Sequence, residues 1–229
     1  MIDEIICGDN IPVMADMEAS SVPLIIADPP YGIDYQSARR IESDRFDKIA
    51  NDLTPAVNWL DDAERILIDT GRLICFCRWD VQEAFRAAIE AAGLRIKSQV
   101  IWDRVSHGLG DLGGQFAPQH DVIWYATKGR YEFQRQRPIS VISIPRVPAQ
   151  RLKHPNEKPV GLISYLLLRL STEGDLVFDP FAGAGSTAMA AIKTNRRYLC
   201  VEKEAKYCDI ARERIRIEQA QLTLDLKAR

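Results

Sequence analysis

Asp175-Leu176-Val177-Phe178-Asp179-Pro180-Phe181-Ala182-Gly183-Ala184-Gly185-Ser186-Thr187-Ala188 reads as a short buried strand, a tight glycine turn and the first turn of a helix. Glycines at 183 and 185 let the backbone approach a ligand closely. Ser186 and Thr187, near a helix N-terminus, can donate to a carboxylate or phosphate. The next apolar strand, Tyr198 to Val201, ends at Glu202, whose carboxylate can accept both hydroxyls of a ribose. Gly183 to Ala188 also fits the Gly-x-Gly-x-x-Ala pattern of dinucleotide-binding turns, so a nicotinamide-dependent oxidoreductase is a rival reading. Two features oppose it. Only 44 residues follow Gly185, too few for the remainder of a dinucleotide domain, and Asp179 places a negative charge where a cationic ligand suits better than a pyrophosphate.

Around this turn, short apolar runs alternate with helical patterns. The strand candidates are Ile5–Cys7, Val22–Ala27, Leu73–Cys77, Ser98–Trp102, Val122–Tyr125, Leu176–Phe178 and Tyr198–Val201. The helical candidates are Val81–Ala92 (with Asp80 as N-cap), Val160–Leu170 after Pro159, Ser186–Thr194 and Ala205 to about Leu222. Strands apolar on both sides, alternating with helices, indicate an α/β domain with a mostly parallel sheet covered on both faces. Polar Gln36–Asp52 and glycine-rich Ser106–Pro118 fit neither pattern and read as mobile loops at a binding face.

Composition agrees with a globular fold: 229 residues, 46% hydrophobic and 27% charged. No apolar run approaches the ~18 residues of a membrane span, and the acidic N-terminus is unlike a signal peptide, so a cytoplasmic protein is expected. The five scattered cysteines (Cys7, Cys75, Cys77, Cys200, Cys208) read as buried thiols in a reducing compartment. Net charge is −2, but the segment from Lys128 to Lys153 carries +6 against −8 elsewhere, a basic strip compatible with a phosphate backbone or with a solvated face.

Asp28-Pro29-Pro30-Tyr31-Gly32 follows a buried strand directly. The diproline fixes two successive φ angles and makes a rigid bracket at the edge where α/β folds bind ligands. The Asp28 carboxylate and the Pro29 carbonyl are both acceptors and can grip an amino group, while Tyr31 offers a flat face for a planar ring. That set suits methylation of an exocyclic amino group. Such a nitrogen is a poor nucleophile while its lone pair is delocalised, and two acceptors favour the pyramidal form that can react.

At these residues the chain resembles the DNA amino-methyltransferases, which methylate adenine at N6 or cytosine at N4 with S-adenosylmethionine. The order of motifs, with the Asp28–Tyr31 quartet early and the glycine turn late, resembles the permuted β class. Further matches are Gly8-Asp9-Asn10, Ile101-Trp102-Asp103-Arg104 and His154-Pro155-Asn156-Glu157-Lys158-Pro159, so the resemblance spans about residues 5–215. It implies a Rossmann-like, circularly permuted, S-adenosylmethionine-dependent fold with a mostly parallel seven-stranded sheet. Ile5–Asp9 would complete the cofactor half. The whole chain, 1–229, would be one methyltransferase domain: a catalytic half over about 20–127, a short basic recognition loop over about 128–153, and a cofactor half over about 154–222 plus 1–10.

By the same resemblance, Asp179, Phe181, Gly183 and Gly185 line the methionine and ribose side of the cofactor. Ser186 and Lys158 lie near its carboxylate, with Thr187 in the same turn. Glu202 takes the ribose hydroxyls and Asp9 the adenine amino group. Asp28, Pro29, Pro30 and Tyr31 carry the chemistry on a base flipped from the DNA stack, by direct in-line attack. No metal is expected, since His107, His120 and His154 lack ligand-like spacing. Asp at the head of the quartet is the commoner choice for adenine in this family, which favours N6-adenine over N4-cytosine. An RNA or protein amino-methyltransferase and the oxidoreductase come after these. DNA is the expected partner, and relatives of this class often form homodimers. The family usually places a larger recognition region where this chain has only Gly129–Lys153, 25 residues. Site reading then falls to that strip and the two loops, which predicts relaxed or short-site specificity.

Overall fold

The computed structural model describes residues 2–32, 54–108, 110, 112–134, 136–154 and 156–227, with side chains as far as Gln221. Eight strands form one sheet among them: β1 (Glu4–Cys7), β2 (Val22–Ala27), β3 (Leu67–Cys77), β4 (Arg95–Asp103), β5 (His120–Thr127), β6 (Val141–Ser143), β7 (Leu176–Asp179) and β8 (Arg197–Glu202). Their order is β1-β8-β7-β2-β3-β5-β4-β6. Only β5 runs against its neighbours, β3 and β4. The helices are α1 (Asn10–Ala15), α2 (Leu60–Ile66), α3 (Gln82–Ala91), α4 (Val160–Leu170), α5 (Ser186–Lys193) and α6 (Ala205–Lys227).

Alternation along the strands sorts the core into two layers. Leu24, Ile26, Ile74, Phe76, Val177 and Cys200 pack with Leu162 and Leu166 of α4, Ala188 of α5 and Ala211 of α6. Their neighbours Ile25, Leu73, Cys75, Cys77, Phe178 and Leu199 pack with Met14 of α1, Leu60 and Ala63 of α2, and Phe85 of α3. Helices therefore cover both faces, which is why β2 and β7 are apolar on both sides. The α/β architecture expected from the sequence stands.

The N-terminal strand adds to the sheet beyond β8, pairing in parallel with Glu4 opposite Leu199 and Cys7 opposite Glu202. That register puts Gly8-Asp9 beside the end of β8, as the permuted order requires. At the far end of the domain two buried guanidiniums close α4. Arg72 donates to the Leu170 carbonyl, with Nε at 2.9 Å, and Arg196 donates to the Ser171 carbonyl at 2.7 Å.

Several expectations need correction. The sheet has eight strands, not seven, because the basic strip holds the three-residue edge strand β6; only Ile142 is buried there, too little to show as an apolar run. Helices α1 and α2, six and seven residues long, are too short to show a helical period. Asp80 does not cap α3; it pairs with Arg78 at 2.7 Å, and Val81 takes the N-cap position without a side-chain bond. Cys7 is exposed at the end of an edge strand, whereas the other four cysteines are buried. Ser106–Pro118, where described, contains no helix or strand, and Gln36–Asp52 lies outside the described residues.

Candidate active site

Four adjacent parallel strands each end in an acid. In sheet order these are Asp9 just after β1, Glu202 at the end of β8, Asp179 at the end of β7 and Asp28 just after β2. All four, with Pro29, Pro30, Phe181, Gly183, Ser186, Thr187 and Lys158, line one cavity of about 510 Å³. This is the carboxyl edge of the sheet, where open α/β folds bind ligands. The cavity volume lies within the range of small-molecule sites.

Each acid has a distinct setting. Asp179 is buried: its Oδ1 accepts the Phe181 amide at 2.9 Å and its Oδ2 accepts the Thr187 hydroxyl at 2.5 Å. Burial pushes its pKa up to about 7, against the lowering effect of those two hydrogen bonds. Glu202 accepts the amides of Gly183 and Glu204, each at 2.8 Å, and burial raises its pKa as well. Asp9 caps α1 through the Ile11 amide at 2.9 Å and lies 3.7 Å from the Lys203 ammonium. Asp28 accepts the Tyr31 hydroxyl on Oδ1 and the Lys158 ammonium on Oδ2, the latter at 2.5 Å.

The glycine turn is shaped by two constraints. Gly185 has φ +80°, and a Cβ there would lie 2.8 Å from Ala211 Cβ of α6. Gly183 has φ +51° and turns its open side to the His154 ring, which would meet an added Cβ at 3.4 Å. Gly185 is thus a packing glycine, and Gly183 is the one facing the cavity. Tyr31 is buried, edge-on to Phe85 with ring centroids 6.4 Å apart, and its ring does not line the cavity in this state.

The sequence reading takes His154–Pro159 as a motif match but gives a site role only to Lys158; its neighbours build the far wall. His154, Asn156 and Glu157 line it. Glu157 pairs with Arg214 of α6 at 3.0 Å, and the His154 ring meets Tyr207 of α6 edge-on at 4.4 Å. Burial drives the His154 imidazole down to about 4, so it is neutral at physiological pH. Phe76 forms part of the floor, with the Lys158 ammonium 5.0 Å above its ring. Its signal was its place on β3, opposite in face to Cys75 and Cys77.

The donor set fits a zwitterionic nucleoside. A carboxylate beneath the glycine turn suits a cation, and an ammonium and a buried hydroxyl suit a carboxylate. An acid at the end of β8 suits a ribose, and another after β1 suits an aromatic amino group. A family model of DNA methylases, covering the N6 and N4 amino-methyltransferases, matches residues 22–213. The chain belongs to that family. The type II methyltransferase M.HpaI of Haemophilus parainfluenzae is 26% identical over 239 residues, covering 94% of this chain and 74% of that one. Among solved structures, an M1.HpyAVI–SAM complex superposes with a TM-score of 0.69 at 18% identity, covering 92% of this chain and 98% of that one. The cytosine-N4-specific PvuII DNA methyltransferase superposes at 0.73 and 14% identity, covering 91% and 84%. These likenesses give the same fold as the sheet order.

Proposed function

We propose that this DNA methyltransferase transfers a methyl group from S-adenosylmethionine to the exocyclic N6 of adenine in DNA. One observation carries the reading: Asp28 and Pro29, the residues of the amino-group acceptor pair, line a single cavity with the acids of a nucleoside-binding edge. The bound donor supplies an electrophilic methyl group on a sulfonium. Asp179 faces its cationic portion, Glu202 its ribose, Asp9 its aminopurine, and Ser186 and Lys158 its carboxylate.

This chain's own residues do the rest by positioning. Asp28 and the Pro29 carbonyl accept the two N–H bonds of the target amino group, which holds its lone pair toward the methyl donor. Pro29 and Pro30 keep that pair of acceptors rigid at the end of β2. The Tyr31 hydroxyl fixes one carboxylate oxygen of Asp28, and stacking a flipped base on the Tyr31 ring requires the ring to turn from its edge-on packing against Phe85 toward the cavity. Burial raises the Tyr31 phenol well above its ordinary pKa, so it stays a donor throughout the working range. Phe76 and His154 keep the cavity walls apolar or neutral and exclude water. The regions divide as the motif order suggests: about 20–127 for the chemistry, 128–153 with the neighbouring loops for DNA contact, and 154–222 with 1–10 for the cofactor.

The aspartate at the head of the quartet supports adenine over cytosine. Expression in a host lacking adenine and cytosine methylases, followed by nucleoside mass spectrometry of its DNA, tests the choice. N6-methyladenine is expected. N4-methylcytosine would keep the mechanism and overturn the base.

A further inference from the structure

The carboxylate that must accept the substrate amino group is already engaged. Asp28 Oδ2 holds the Lys158 ammonium at 2.5 Å, and that ammonium also lies 3.4 Å from the Tyr31 hydroxyl and 5.8 Å from the Tyr31 ring centroid. Lys158 is only 8% exposed, and it reaches Asp28 from the opposite wall, just ahead of α4. An ammonium and an amino group present the same N–H donors to a carboxylate, so Lys158 and the target base compete for one oxygen.

A buried ammonium is costly without an anion, so Lys158 leaves Asp28 only for another negative group. Its four-carbon stem allows the movement, and the cavity it lines is the one assigned to a donor that brings its own carboxylate. We propose that Lys158 exchanges Asp28 for the cofactor carboxylate, so that cofactor binding unmasks the amino-group acceptor. The proposal rests on the methyltransferase reading and adds a coupling between the two halves of the site. Asp28 and the cofactor carboxylate compete for one cation, so binding is reciprocal: whatever weakens the Asp28–Lys158 pair strengthens the carboxylate's hold.

That reciprocity has a sign which simple electrostatics does not share. Sinefungin carries a net positive charge, so removing a negative charge from the cavity should weaken its binding by Coulomb attraction alone. Exchange predicts the reverse. Calorimetric titration of sinefungin and of 5′-methylthioadenosine, which lacks a carboxylate, is made on wild type, Asp28→Asn, Lys158→Met and the double variant. Asp28→Asn is expected to tighten sinefungin by about tenfold, a typical coupling, and to leave methylthioadenosine unchanged. Lys158→Met weakens sinefungin and abolishes the Asp28→Asn effect. Unchanged or weaker sinefungin binding by Asp28→Asn overturns the exchange, as does equal tightening of both ligands.

A second measurement is read on the wild type, with Lys158→Met used only for assignment. The Lys158 side-chain ammonium resonance, assigned by its loss in Lys158→Met, should shift with sinefungin and stay in place with methylthioadenosine. Equal shifts with both ligands overturn the proposal. Failure of wild type to bind either ligand overturns the cofactor reading itself, and the proposal with it.

Discussion

Asp179 offers a quantitative handle on the cofactor half of the site. Its carboxyl is buried beneath the glycine turn and burial pushes its pKa up to about 7. A ligand whose cationic group needs the ionised form must release that proton on binding. About one-tenth of the carboxyl is ionised at pH 6 and about nine-tenths at pH 8, so affinity should rise about tenfold between them, or ~1.4 kcal/mol. The assay is titration of sinefungin, whose amine stands where the donor has its sulfonium, at pH 6, 7 and 8. Asp179→Asn should bind more weakly at pH 8 and lose the slope. The same raised value gives a second sign. In the unliganded protein, Asp179 contributes stability below pH 4 that is lost as pH rises through about 7. The Asn variant should therefore lose less stability than wild type over that window. A flat wild-type binding profile, or an equal slope in Asp179→Asn, would refute the reasoning.

Other expectations follow from the geometry. Gly185→Ala combines a left-handed backbone, costing roughly 1–2 kcal/mol, with an overpacked contact at Ala211 worth roughly 1–3 kcal/mol. A total loss of about 2–5 kcal/mol is expected in denaturant unfolding, and Ala211→Gly should recover only the packing part. Arg72→Met removes a buried guanidinium that closes α4 and lies 3.6 Å from Asp175 and 4.4 Å from the Tyr131 ring centroid. It should cost about 2–3 kcal/mol, lowering Tm by about 4–12 °C in a domain of this size. In an oligonucleotide methylation panel, the short Gly129–Lys153 strip should allow many flanking contexts around a short core; strict dependence on a long site would contradict this.

The sequence made the sheet legible wherever a strand was buried on both faces. Val22–Ala27 and Leu176–Phe178 stand out because both of their sides face helices. The N-terminal pairing of β1 with β8 was legible only through motif order, since Ile5–Cys7 is a three-residue signal. Where burial is partial the pattern fades: β6 buries one residue, and α1 and α2 are barely two turns each. Asp28, Asp179 and Glu202 could be named because each stands at the end of an apolar strand, whereas Asp9 was named only through the family resemblance. Their hydrogen-bond states could not be read: Thr187 answers Asp179 only once the glycine turn between them closes, eight residues apart, and Lys158 answers Asp28 only once segments 130 residues apart meet. The wall built from His154 and Glu157 depends on α6 in the same way.

The central claim is that Asp28 performs chemistry on an amino group while the neighbouring strand ends hold the cofactor. Single-turnover transfer of a tritiated methyl group from S-adenosylmethionine to unmethylated DNA, by wild type and Asp28→Ala, tests it most directly when sinefungin binding is measured on the same samples. Asp28→Ala is expected to bind sinefungin still and to transfer no methyl group. Transfer by Asp28→Ala at the wild-type rate would contradict it.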